Sequence, residues 1–174
     1  YVKNILPLYL GSLQKDIESN DYTNSKKLLE SITGFQNKYG ASVLPSKNKI
    51  KAEILYNKYD VFRNLFSWYM YVGTFMFVFL IIQIFKDNKF LKYLIYFSKY
   101  SIVFLFILHT LGLIARWYIS GHAPWSDAYE SMIYVAWATV GIGLAFGRKS
   151  DLTLASTSFV ASMILMIAHW NWMD

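Results

Sequence analysis

Chemistry-bearing side chains crowd into one short stretch of this chain, RWYISGHAPWSDAYESMIYVAWAT, which runs from Arg116 to Thr139. His122, Trp125, Tyr129 and Glu130 lie within nine residues of one another, together with Ser126 and Asp127. An exposed imidazole such as His122 can bind haem iron or shuttle protons. Just upstream, His109, Gly112 and Arg116 are spaced i, i+3, i+7 and share one face of a helix. A His and an Arg in an apolar helix are costly unless they face protein, water or a ligand. One reading makes His109 a haem or metal ligand, with Arg116 pairing an anionic group such as a haem propionate. The other makes His109 a hydrogen-bonded tie between helices, with Arg116 snorkelling to the loop or the headgroups.

Two plainer readings apply to the rest of the stretch. Asp127-Ala128-Tyr129-Glu130 has the D-x-x-E form of a helix N-terminal cap, and its charges suit the helix dipole. That accounts for both carboxylates without assigning them acid or base roles, and no catalytic residue is assigned. Trp117, Tyr118, Trp125 and Tyr129 fit the aromatic belt that sits at headgroup level.

What positions these residues follows from hydropathy. Residues up to about 65 are polar and Lys-rich, whereas long apolar runs dominate the remainder. Four runs are long enough to cross a bilayer at about 1.5 Å per residue: Phe66–Phe85, Ser101–Ile119, Ala128–Phe146 and Leu152–His169. The chain therefore reads as an all-α, polytopic membrane protein with four transmembrane helices and a small N-terminal helical region. Two domains are expected, residues 1–64 and 65–174. The loop Gly121–Asp127 must lie at a membrane surface, because irregular backbone is not satisfied in lipid. Pro124 is expected to stop the second span.

In the N-terminal region, Asp21-Tyr22-Thr23-Asn24-Ser25 is a helix start and Gly40 a stop, with Leu28, Leu29, Ile32, Phe35 and Tyr39 at helical spacing between them. A shorter helix carrying Leu8, Leu13 and Ile17 precedes it. Another opens at Pro45-Ser46, continues through Ile50, Ile54, Leu55, Tyr59, Phe62 and Leu65, and runs into the first span. In the third span Gly143 and Gly147 form a G-x-x-x-G pair, and in the fourth Ala155, Ser158 and Ser162 share a face. Small residues at these spacings let helices approach closely.

The basic residues set an expected orientation. Lys86, Lys89, Lys92 and Lys99 follow the first span, and Arg148 and Lys149 follow the third. By the positive-inside rule these connections are cytoplasmic, which puts the Gly121–Asp127 loop outside. Lys47, Lys49, Lys51, Lys58 and Arg63 near span one argue the other way. Folded domains translocate despite their charge, so the N-terminal region is also placed outside. The formal charge of +6 is thereby explained by membrane topology, and nucleic acid is not an expected partner. With no Cys, disulfides, thiolate metal sites and thiol catalysis are excluded for this chain. No metal ion site is assigned. The chain opens on Tyr1 without a basic and apolar leader, and Asp174 directly follows an apolar run. An internal piece of a longer polypeptide is expected.

The segment RWYISGHAPWSDAYESMIYVAWA resembles the CcsA (ResC-type) cytochrome c biogenesis proteins, in which the corresponding stretch reads approximately RW-x-x-S-G-H-x-P-x-x-x-x-YES. Arg116, Trp117, Ser120, Gly121, His122, Pro124, Tyr129, Glu130 and Ser131 carry the match. Upstream, KAEILYNKYDVFRNLFSWYMYVG looks like the junction of fused CcsBA (System II) proteins, where a CcsB-like half precedes the CcsA-like half. The resemblance implies a multi-pass protein of the cytoplasmic membrane that exports haem and presents it for attachment to the CxxCH motifs of an apocytochrome c. It implies haem as the cofactor, and apocytochrome c, the remainder of the polypeptide and a thiol-reducing protein as partners. His109, Arg116, His122, Trp125, Tyr129 and Glu130 would support the haem site or its external vestibule. The family's W-G-x-x-W and W-x-W-D-P-K-E signature does not occur in these residues, and its axial histidines do not map onto His109, His122 or His169. The iron ligands are expected outside this chain, and haem attachment by this chain alone is not expected. Two other classes fit the residues: a transporter or channel in which His109 and Arg116 line a polar path, and a membrane scaffold that docks partners through its N-terminal helices.

Overall fold

The computed structural model describes residues 2–123, 125–147 and 150–172. Seven helices follow one another: α1 (Val2–Ser19), α2 (Thr23–Tyr39), α3 (Lys47–Tyr59), α4 (Val61–Phe85), α5 (Lys89–Ser120), α6 (Ala128–Phe146) and α7 (Asp151–Trp172). No strand occurs among the described residues. The chain divides into two compact units, Tyr1–Lys47 and Asn48–Asp174. The division expected at 64 thus falls inside α4, because α3 groups with the apolar helices through its half-buried Tyr56.

The first unit pairs α1 with α2. Asp16, buried in α1, accepts the Ser25 backbone N–H at 3.0 Å and so supplies α2 with a cap from the neighbouring helix. Asp21 accepts from both the backbone N–H and the hydroxyl of Thr23, and these bonds hold its carboxyl below the usual carboxylate range. Gly40 ends α2, as its position suggested. The expected "shorter" first helix is in fact as long as the second, spanning 18 residues against 17. Leu8 and Ile17 do not form its inner face; both are exposed.

The second unit is a ring of four helices: α4 packs on α5 and α7, and α6 packs on the same two. All four spans are long and apolar enough to cross a membrane. Close approach relies on small residues. A Cβ at Gly73 would lie 3.0 Å from the Phe159 backbone nitrogen, so only glycine lets α4 lie this near α7. Gly143 likewise leaves no room between α6 and Thr157 of α7. Ala155, Ser158 and Ser162 are fully buried on the face of α7 where the sequence places them, and the Ser158 hydroxyl donates to the Tyr69 carbonyl at 3.3 Å.

Two boundaries differ from the sequence expectation. α5 starts at Lys89, twelve residues before the apolar run, so Lys89, Lys92 and Lys99 ride on helix and not on a loop. Only 86–88 connect α4 to α5, with Asn88 capping through a bond from the Phe90 N–H. The helix opening at Pro45 does not run unbroken into the first span. Asp60 adopts a left-handed conformation (φ 40°, ψ 60°) and separates α3 from α4. Nor do Ile50, Ile54, Leu55 and Tyr59 face inward; all four are exposed, while Ala52 and Tyr56 are half-buried. Arg148 and Lys149 lie outside the described residues.

Candidate functional site

At one end of the ring, α5 stops and α6 starts around the loop. The stop is made by Gly121, whose φ of 78° only glycine adopts freely and whose N–H returns to the Trp117 carbonyl at 2.9 Å. The helix therefore ends at Ser120, four residues before Pro124, which lies outside the described residues. The start of α6 is made by Asp127, which accepts the Glu130 N–H at 2.6 Å. This is half of the expected cap. The other half is not made, because the Glu130 carboxylate is used elsewhere.

Glu130 is almost wholly buried, with its side chain 1% exposed. One oxygen accepts from Arg116 Nε at 2.9 Å and the other from the Ser126 backbone N–H at 3.0 Å. A charged carboxylate this deep requires a counter-charge and hydrogen bonds, and it has both. Arg116 is three-quarters covered and reaches several groups. Besides Glu130, it lies 3.9 Å from Asp127 and its guanidinium stands 5.0 Å from the Tyr129 ring centroid. Arg116 thus turns toward the loop, and its anion is the chain's own Glu130. Tyr129 leaves the aromatic belt to cover this pair, whereas Trp117, Tyr118 and Trp125 remain exposed.

His122 hangs on the same network. Its Nδ1 lies 2.9 Å from Ser126 Oγ, 3.2 Å from the Ala123 carbonyl and 3.8 Å from Glu130 Oε2. The side chain is 52% exposed. The loop's polar residues therefore form one bonded chain: Arg116, Glu130, Ser126, His122.

His109 is separate from it. The ring is fully buried, with Nε2 3.1 Å from the Ile133 carbonyl of α6. Phe62 and Tyr69 of α4 stand 5.4 and 6.0 Å away, centroid to centroid. In this position it ties three helices together. Its Nδ1 and the Tyr69 hydroxyl are both buried without a hydrogen-bond partner among the described residues. His169 lies in the last turn of α7 and is half-buried.

The sequence reading missed an apolar cleft beside the loop. Thr110, Leu113, Ile114 and Trp117 of α5 face Tyr134 and Trp137 of α6 across it, with Ala123 and Trp125 at its mouth; its volume is about 480 Å³. A ladder of rings runs down from the loop: Trp125 to Tyr134 at 5.7 Å, Tyr134 to Trp137 at 5.4 Å, and Trp137 to Phe106 at 5.5 Å. The Trp137 indole donates to Thr110 Oγ1 at 2.9 Å, which fixes its ring plane. The i, i+3 spacing of Tyr134 and Trp137 was visible in the sequence, but within an apolar span it signals packing. Among the described residues, no group of three or more His, Asp or Glu side chains is placed to hold a metal ion.

Fold and site define an all-α, multi-pass membrane protein with a charged, bonded loop at one end of its spans. The chain is 34% identical to Protein NrfI of Wolinella succinogenes over 172 residues, covering 88% of this chain and 17% of NrfI. It is 48% identical over 40 residues to the cytochrome c biogenesis protein CcsA of Lotus japonicus, covering 23% of this chain and 12% of that protein. To the CcsA of Glycine max it is 45% identical over 68 residues, or 38% of this chain and 21% of that protein. No protein-family model matches. The chain is thus a relative of the CcsA-type cytochrome c biogenesis proteins, and it spans about a fifth or less of the length of these three.

Proposed function

We propose that this chain is the part of a cytochrome c assembly protein that builds the external vestibule through which haem is exported and presented to apocytochrome c. In this reading the whole protein is a fused CcsBA-like synthase, and the chain holds the end of its CcsB-like half and the start of its CcsA-like half. The CcsA names of the relatives support the pathway. The observation that carries the reading is the burial of Glu130 between Arg116 and the Ser126 N–H, because it locks the RWYISGHAPWSDAYES stretch into one shape. A plain connector has no need of a desolvated ion pair; a loop that must present a group in a fixed place does.

Haem is the substrate here, and it supplies the vinyl groups that react with the CxxCH thiols. The chain's contribution is positioning. Arg116 and Glu130 fix the loop, Tyr129 covers them, and Trp125 and His122 stand at its outer surface. Axial iron ligands and the Trp-rich presentation motif belong to other parts of the polypeptide, so the chain holds no catalytic residue of its own. A cytoplasmic-membrane location with the loop end outside suits the Lys-rich opposite end, where Lys86, Lys89, Lys92 and Lys99 gather. Apocytochrome c and a thiol-reducing protein are the partners this chemistry needs.

The test is holocytochrome c production by the complete protein. Arg116→Ala and Glu130→Ala are expected to lower haem staining of the cytochrome far more than His169→Ala. Near-normal staining in all three would reject the reading.

A further inference from the structure

The Lys-rich end of α5 carries an ordered stripe of side chains. Lys89, Lys92, Tyr96, Lys99 and Val103 recur at spacings of three and four, so they lie one above another along the helix. Beside the Lys99 end of this stripe is a cleft of about 400 Å³, lined by Tyr96, Lys99, Tyr100 and Val103 of α5, Leu144 of α6 and Leu154 of α7. Helices α5 and α6 share the slightest of the ring's four interfaces, and the cleft lies along that seam. Val103, Leu144 and Leu154 give it an aliphatic wall, with Leu154 buried. Lys99 completes the lining between an aromatic face and a carboxylate: its Nζ stands 5.6 Å from the Tyr96 ring centroid and 2.7 Å from Asp151 Oδ1.

We propose that this cleft binds an anionic phospholipid, with the headgroup phosphate on Lys99 and an acyl chain against Val103, Leu144 and Leu154. The juxtaposition selects the ligand. A free phosphate gains nothing from an aliphatic wall, and a zwitterionic lipid cancels much of its attraction to an ammonium with its own cation. A lipid with a net negative head satisfies both parts of the lining. Lys92, about two turns along the same stripe, adds to the attraction. The opposing charges are Asp151 and Asp87, which meet Lys99 and Lys92 at 2.7 and 2.8 Å. An ammonium has three donors and Asp151 takes one, so Lys99 can bridge that carboxylate and a phosphate. Asp151 thereby weakens the site without closing it. The assignment stands on the lipid-facing surface and is independent of the haem-handling reading above.

The experiment titrates the intact protein, in neutral detergent, with dioleoylphosphatidylglycerol and counts bound lipid by native mass spectrometry. Dioleoylphosphatidylcholine and inorganic phosphate are run in parallel. Phosphatidylglycerol should bind roughly fivefold more tightly than phosphatidylcholine, and Lys99→Ala should remove that preference. Asp151→Asn should strengthen phosphatidylglycerol binding, a gain that misfolding cannot produce. Val103→Trp, which fills the cleft, should weaken both lipids. Lys89→Ala, about three turns from Lys99 on the same stripe, should change little. Equal affinity for the two lipids in the wild type would overturn the proposal, as would unchanged binding in Val103→Trp. A loss in Lys89→Ala as large as in Lys99→Ala would also overturn it, because the effect would then be diffuse surface charge. Displacement of the lipid by inorganic phosphate at matched concentration would make the cleft an ion site and reject the lipid.

Discussion

The two ends of the four-helix ring carry similar charged residues and use them differently. At the loop end, Arg116 and Glu130 meet at 2.9 Å with the carboxylate 1% exposed, and four residues join in one bonded chain. At the Lys-rich end, Lys92 meets Asp87 at 2.8 Å and Lys99 meets Asp151 at 2.7 Å, but these side chains are 29% to 73% exposed. Equally short contacts are therefore not equivalent. Desolvation makes the first pair a structural commitment, since Glu130 without Arg116 would be a buried charge. The second pairs face solvent or headgroups and cost little to lose. One end fixes a shape; the other sets a net charge.

The largest expected effect breaks the fixed end. Glu130→Ala takes the nearest carboxylate from Arg116 and unpairs the Ser126 N–H, and should cost about 1–3 kcal/mol in thermal unfolding followed by helical circular dichroism. Glu130→Gln keeps an acceptor for Ser126 and should cost less. Asp127→Ala removes the α6 cap and a long 3.9 Å contact with Arg116, at about 1 kcal/mol in the same measurement. At the other end, Lys99→Ala or Asp151→Ala should cost about 0–1 kcal/mol, and less still as added salt screens the pair. A loss at Lys99 equal to that at Glu130 would erase the contrast between the ends.

The spans were legible because apolar length reports the bilayer directly, and the small-residue faces of α6 and α7 were legible from their spacing. The start of α5 was not, since hydropathy marks where the lipid lies and not where the helix begins. Lys89 to Lys99 stay helical while their amines reach water. Glu130 was read as a cap from its distance to Asp127 along one helix. Its real partner, Arg116, is 14 residues away on another helix, and no local pattern encodes a pairing across a turn. Tyr134 and Trp137 were hidden for a related reason. Their partners Trp125, Thr110 and Phe106 come from two other places in the chain, and aromatic residues in an apolar span look alike until the helices are placed.

The ring ladder beside the loop gives the chain an optical property of its own. Trp125 and Trp137 are linked through Tyr134 at centroid spacings under 6 Å, so excitation absorbed by the tyrosine passes to an indole within the same stack. These are two of the chain's six tryptophans, so a strongly absorbing pigment arriving under the loop would darken their share of the emission without any label attached.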